Sequence, residues 1–555
     1  MSDAHDQPQI TALEIEQAEK LVGLSFTQTE REFMLEEVNK KRQHYEKLRA
    51  IKLENSVPPP LYFSPLLPEM QPSPDSTPRA YRMSRIPPVQ RPANLEDVAF
   101  WPLTHLAELV RTRQVTSLEL TEMYLGRLKR YDPFLHCVVS FTEDLAVQQA
   151  RRADEEIAAG HYRGPLHGIP WGAKDLLATR GYRTTWGAEP YQQQMIDLDA
   201  TVIQRLEAAG AVLIAKLTLG ALAYGDIWFG GKTRNPWNLE DGSSGSSAGS
   251  AAATAAGLVG FSIGTETLGS IVSPSTRCGA TGLRPTYGRV SRHGAMTVSW
   301  SMDKIGPICR TVEDCALVFT AIYGPDGQDL TVVDTPFVWN PDLKIGHLRI
   351  GYVKSAFEQR SKEGDHALEA IETLERENVG NDGQALDVLR GMGIDLIPIE
   401  LPDYDLEPMF LILVAEAAAA FDELTRFDLD DQLAWQDKEA WPNLFRAARL
   451  IPAVEYIQAN RIRTLIMQEM AKVMEQVDVF VVPSFGGNAL SLTNLTGHPA
   501  VVLPNGFNDK GAPTSITFIG GLYREAETLA AARAYQEATD HHLQHPKMVY
   551  DAAPK

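Results

Sequence analysis

Basic residues are scarce in this 555-residue chain: 52 Lys and Arg stand against 72 Asp and Glu, a net charge of −20. That deficit disfavours a broad nucleic-acid surface, because neutralising phosphates takes clustered Lys and Arg. Cysteine is scarcer still. Cys137, Cys278, Cys309 and Cys315 make no CxxC pair and no half-site for a metal, which fits a reduced, cytoplasmic chain. No apolar run reaches the roughly 20 residues that span a bilayer, and "MSDAHDQPQI" lacks the basic start and apolar stretch of a secretion signal.

Two near-motifs are set aside. In "GDIWFGGKT", five residues separate Gly225 from Gly231-Lys232, one too many for a phosphate loop. The following "RNPW" also stops the helix whose N-terminus would hold phosphate. "HHLQH" (His541, His542, His545) has spacing a metal could use, but no acidic partner follows, and it reads as a solvated tail. His167 in "LHGIP" reads as a packed or capping residue.

What is present suits a globular protein: 44% apolar and 22% charged residues leave enough apolar surface for a sizeable core. Residues 1–55 form an N-terminal extension whose stretch 11–54 reads as helical. Thr27 or Thr29 serves as N-cap, with Glu30 and Glu32 placed for capping boxes. Met34, Val38, Tyr45 and Leu48 fall near one stripe, suited to docking on the main body or to a homodimer contact. Residues 56–94 are proline-rich and read as an extended strap. Its Leu61, Tyr62, Phe63, Leu66 and Leu67 suggest that it lies on a surface.

From about 95 to 545 the pattern changes. "SLELTEMYLGRLKRYD" is an amphipathic helix; "AVLIAKL", "LRIGYV", "IDLIPIEL" and "VDVFVVPSF" read as short buried strands. Such alternation predicts an α/β domain built on a mainly buried sheet. "GMGIDL" marks a helix end rather than a dinucleotide loop.

The stretch "EDGSSGSSAGSAAATAAG" (240–257) has the composition of a linker but not its setting. It runs straight into small-residue helix and then an apolar, strand-like run. It therefore reads as an ordered loop feeding a helix N-terminus. A second serine, Ser270, follows in the glycine-punctuated "GTETLGSIVSP". Backbone amides converging beside a hydroxyl make an oxyanion hole, and a nucleophilic serine needs a base. Neither serine loop contains histidine. Upstream, "LHGIPWGAKDLLATRG" offers Lys174, whose burial among apolar neighbours would favour a neutral amine.

Together these residues resemble the amidase signature family. The motifs in this chain are "GIPWGAKD", "NPWN" (235–238), "SGSSAGS" (244–250), "LGSI", "CGATGLRPTYGRVSRHG", "MDKIGPICRTVEDCA" and "NLTGHPAVVLPNGF". The resemblance spans roughly residues 95–540 and implies a large mixed central β-sheet with helices on both faces. It also implies Ser270 as acylated nucleophile, Ser246 as a bridging serine after a cis peptide bond, and Lys174 as base. The backbone of Thr267, Leu268, Gly269 and Ser270 would form the oxyanion hole, with Ser247 and Thr265 supporting the site. No metal or organic cofactor is required. Three residues depart from the family pattern: Leu268 for a glycine, Glu266 for an aspartate and Val272 for a frequent arginine. If position 268 needs positive φ, a leucine there costs about 1–2 kcal/mol.

The first functional expectation is hydrolysis of a small or medium, fairly apolar amide, with aryl esters or carbamates as further substrates. Partners are then the amide and water, without nucleic acid. The second is the glutaminase subunit of a tRNA-dependent amidotransferase, against which "EAAAAFDELTR" (416–426) and the N-terminal extension speak. The third is a silent binding protein of the same fold, which has no reason to keep Lys174, Ser246 and Ser270 together.

Overall fold

The computed structural model describes residues 9–51, 53–57, 59, 61–67, 70, 80–358 and 369–549. Burial explains its strands. Val212–Leu217, Phe261–Glu266, Lys304–Cys309, Val479–Pro483 and Pro513–Gly520 are buried at every position. Burial at every position is that of a sheet covered on both faces, and in Val479–Pro483 it shows as a continuous apolar run.

Eleven strands make one mixed sheet. From one edge it runs Ile397–Ile399, Ile350–Val353, Val479–Pro483, Pro513–Gly520, Ala500–Phe507 and Thr281–Arg284. It continues through Lys304–Cys309, Phe261–Glu266, Pro170–Lys174 and Val212–Leu217 to Val138–Phe141 at the far edge. The three strands at the first edge are parallel. So are Phe261–Glu266, Pro170–Lys174 and Val212–Leu217, while the strands between these groups pair antiparallel. Helices pack against the sheet, among them Glu143–Ala158, Ala248–Ala255, Val312–Ile322 and Glu525–Glu537. The fold is the α/β architecture expected from the sequence. Among the described residues no helix is long and apolar enough to cross a membrane.

The helical N-terminal stretch is divided into two helices. Ala12–Val22 ends at Gly23, whose φ of 67° is left-handed and open to glycine at little cost. Gln28–Arg49 then starts behind Thr27, which accepts from the Glu30 amide at 3.3 Å while Glu30 Oε2 accepts from the Thr27 amide at 2.6 Å. Thr27, not Thr29, is the cap. A bidentate pair between Arg31 and Glu19 ties the two helices together at 2.8 Å. Met34 and Val38 are half-buried, but Tyr45 and Leu48 of the same stripe are exposed.

Residues 58, 60, 68–69 and 71–79 of the expected strap lie outside the described residues. Among the strap's described residues, Phe63 and Leu67 lie on the body. Phe63 meets the Tyr287 ring edge-on at 5.1 Å and the Arg463 guanidinium at 3.4 Å, and Leu67 is buried. Leu61 stays exposed. The histidine tail is also packed rather than simply solvated: His545 stacks on Phe100 at 3.9 Å and Met548 is buried.

Candidate active site

Four chain segments meet at one end of the parallel strands. Lys174 closes the strand Pro170–Lys174, which pairs in parallel with Phe261–Glu266 and so brings Lys174 beside Thr265. The serine-rich loop supplies Ser246 and Ser247 just before the helix Ala248–Ala255. Every residue of that helix is buried, which explains its alanine content: larger side chains would not fit between sheet and neighbours. The stretch is an ordered loop, as its context indicated. Two glycines make the approach possible. A Cβ on Gly264 would meet Ser247 Oγ at 2.7 Å, and one on Gly245 would overlap the Gly225 carbonyl. The Gly245–Ser246 peptide bond is cis.

Lys174 is fully buried. Its Nζ lies 2.8 Å from Ser246 Oγ, 2.8 Å from Thr265 Oγ1 and 3.1 Å from Ser247 Oγ. The near shell is therefore hydroxyl-rich rather than apolar as the sequence suggested. Burial drives its pKa well below the ordinary lysine range, against the opposing pull of Asp303 and then Glu266. Lys216, on the adjacent strand, is equally buried but has a carboxylate: Asp175 Oδ1 sits 2.8 Å from its Nζ. Asp175 also accepts from the amide and hydroxyl of Thr185. One buried lysine thus has an ion-pair partner, and the other has hydroxyls.

Ser270 sits in the loop between Phe261–Glu266 and the helix Val272–Cys278, largely buried, with its carbonyl accepting from the Ser247 amide at 3.2 Å. Gly269 takes the left-handed conformation here, at φ 87°. Leu268 is not among the positive-φ residues, so its side chain carries no such strain and packs against the cluster containing Met302 and Leu492. Among the described residues none accepts from the amides of Leu268, Gly269 or Ser270.

Glu266 braces the loop from behind. Its Oε2 accepts from the amides of Ile271 and Val272 at 2.8 and 2.9 Å, and Oε1 takes Arg284 and Asn494 at 2.8 and 2.9 Å. Burial alone would raise this carboxyl, but the Arg284 and Lys304 charges and these hydrogen bonds outweigh it and hold it at about 2. The glutamate in place of aspartate therefore keeps an anion in position. Val272 packs on Phe485 and Val502, leaving an apolar surface where the family often has arginine.

Sequence reasoning missed several neighbours. Asp303, inside "MDKIGPICR", accepts from Thr267 Oγ1 at 2.6 Å. Lys304 Nζ reaches the Thr267 carbonyl at 3.4 Å. Glu416 accepts from Ser299 Oγ, the Ser301 amide and hydroxyl, and Tyr456. None of these pairings is visible in local spacing. His167 is a packed residue, with Nδ1 accepting from the Arg163 amide.

A cavity of about 1490 Å³ opens between the N-terminal residues and the body, with walls that include Leu53, Leu61, Trp186, Trp300, Glu416 and Ile457; Lys174, Ser246 and Ser270 do not line it. Leu48, Leu53 and Asn55 of the N-terminal extension and Leu61, Phe63 and Leu67 of the strap form part of its boundary. Two of its lining residues bond to neighbours of the site: Trp186 donates its amide to the Asp175 carbonyl at 3.2 Å, and Glu416 accepts from Ser299 Oγ at 2.6 Å.

The family model described as Amidase matches residues 119–493. A glutamyl-tRNA(Gln) amidotransferase subunit of Methylococcus capsulatus is 34% identical over 499 residues, covering 81% of this chain and 99% of that protein. The native peptide amidase of Stenotrophomonas maltophilia superposes with a TM-score of 0.68 at 29% identity, over 79% of this chain and 97% of that one. A 6-aminohexanoate cyclic dimer hydrolase shares the fold, with a TM-score of 0.69 at 22% identity. The chain belongs to the amidase family.

Proposed function

We propose that this protein hydrolyses an amide C–N bond through an acyl-enzyme on Ser270. One observation carries the reading. A buried lysine, kept towards its neutral form by burial, has Ser246 as a hydrogen-bond partner at 2.8 Å and, among the described residues, no carboxylate partner like that of Lys216. Neutral Lys174 takes a proton from Ser246, and Ser246 takes one from Ser270 as its oxygen attacks the carbonyl carbon. The amides of Thr267, Leu268, Gly269 and Ser270 receive the negative oxygen. Ser246 returns a proton to the leaving nitrogen as the C–N bond breaks. Water then repeats the attack on the acyl ester and frees the acid. Ser247 and Thr265 hold the Lys174 amine in line.

Half-buried Leu268, two residues before Ser270, supports an apolar substrate of small or medium size, with aryl esters and carbamates sharing the acylation step. A second reading rests on the relatives. Their name, matched over 99% of one relative's length, favours the glutaminase subunit of a tRNA-dependent amidotransferase over stand-alone hydrolysis. That reading brings further subunits and a tRNA, contrary to the expectation of no nucleic acid. About a fifth of this chain lies outside the match, and the cavity takes part of its wall from the N-terminal extension.

Release of ammonia or amine by the isolated chain separates the readings. Cleavage of apolar anilides or primary amides without added protein supports the hydrolase. Cleavage of glutamine that appears only with partner subunits and charged tRNA supports the amidotransferase. Activity unchanged in Ser270→Ala would overturn both.

A further inference from the structure

The nucleophile loop is suspended between two acidic residues that hold different parts of it. Glu266 takes the amides that follow Ser270, at Ile271 and Val272. Asp303 takes the other end, through the Thr267 hydroxyl at 2.6 Å. The second oxygen of Asp303 is itself fixed by the amides of Val298 and Ser299, at 2.8 and 3.1 Å. Ser299 is in turn anchored to Glu416 at 2.6 Å, and Glu416 by Ser301 and Tyr456 at 2.8 Å each. The Thr267 carbonyl is met by Lys304 from the strand paired with Phe261–Glu266. Thr267 is therefore gripped by side chain and by backbone. The residues after it carry the amides with no acceptor among the described residues.

We propose that Asp303 is a positioning residue for the hydrolysis. Its carboxylate fixes Thr267, and through Thr267 the amides that face the developing oxyanion. This rests on the Ser270 reading. A donor row works only if it is pre-set where charge develops, and loss of one such donor costs about 10²–10³ in turnover. A loosened loop degrades several donors partway. Asp303 has a second, electrostatic consequence. Among charged groups it opposes most strongly the burial that lowers the Lys174 pKa. Removing its charge lets that pKa fall further, so a neutral amine persists to lower pH. Burial raises the Asp303 pKa above the usual aspartate value, opposed by the Thr267 hydroxyl, the Val298 amide and the Arg292 charge, and Lys304 lies next to it in the chain. Asparagine keeps the shape and one acceptor while removing the charge.

The test is the rate at which a fluorophosphonate labels Ser270, followed against pH in the full chain. Asp303→Asn is expected to label about 10–100-fold more slowly at the plateau, with its acid limb moved to lower pH. Thr267→Val, which keeps the volume but not the hydroxyl, is expected to slow labelling similarly, and Thr267→Ser to restore it. The double variant should lose little more than either single one, because both remove the same link. If Asp303→Asn does not fold, the Thr267 pair decides: Thr267→Val labelling at the parent rate overturns the proposal. So does an Asp303→Asn profile with unchanged rate and unchanged acid limb. Absence of Ser270 labelling in the unmodified chain instead overturns the underlying Ser270 reading.

Discussion

The Lys174 amine and the Asp175 carboxylate are neighbours in the chain, yet each engages a different partner: Ser246 at 2.8 Å for Lys174, Lys216 at 2.8 Å for Asp175. Successive residues along an extended chain point to opposite sides. The nearest acid in sequence is thus spent on a second lysine, and Lys174 is left to hydroxyls.

Replacing Lys174 by alanine is expected to lower the acylation rate by about 10²–10⁴, the range for loss of a general base, with little change in KM. Burst kinetics on an aryl ester measure this directly. Equal losses in KM and rate would point to substrate binding instead.

The pH profile carries the same claim. A base acts unprotonated, and burial lowers the Lys174 pKa well below the ordinary lysine value of 10.5. Activity is expected to rise with pH through that lowered value and to level off before the ordinary lysine range. Stability follows in the same direction. Between the folded and unfolded pKa the unfolded chain binds more protons, so this group's contribution to stability increases with pH up to about 10.5. A kcat/KM profile still climbing in the ordinary lysine range would contradict the assignment.

Lys216→Ala separates structure from chemistry. It strands the buried Asp175 charge and is expected to destabilise the protein by about 3–5 kcal/mol. Calorimetry should show a lower Tm for Lys216→Ala than for Lys174→Ala.

Leu268→Gly restores the family residue, and it is expected to give no faster acylation. The leucine is not strained by positive φ; its side chain packs near Met302 and Leu492. Lost packing and added backbone freedom are expected to cost about 1–3 kcal/mol. A faster enzyme would mean that Leu268 obstructs the site.

These positions show how far the sequence can be read. Lys174, Ser246 and Ser270 stand out because each sits in a stretch with its own local pattern, and the α/β sheet follows from continuous apolar runs such as Val479–Pro483. The Pro170–Lys174 strand does not stand out, because proline, glycine and lysine mask its burial in composition. Asp303 and Glu416 are invisible for another reason. Their partners lie 36 and 115–117 residues away, at Thr267 and at Ser299 and Ser301, and no local periodicity encodes such pairs. The division of the N-terminal stretch rests on Gly23, a single left-handed residue.

Phe63→Ala tests whether the extension belongs to the working molecule. It removes the ring held between Tyr287 and Arg463, with an expected cost of about 1–3 kcal/mol. Faster proteolysis of residues 9–67 in the variant would accompany this. Unchanged protection would mean that other contacts hold the strap.

The most direct measurement is the mass of the peptide containing Ser270 after treatment with a fluorophosphonate. An adduct on Ser270 in the unmodified chain, with labelling at least about 100-fold slower in folded Lys174→Ala, is the expected result. An adduct on another serine, or equal labelling in both proteins, would contradict the Ser270–Ser246–Lys174 assignment.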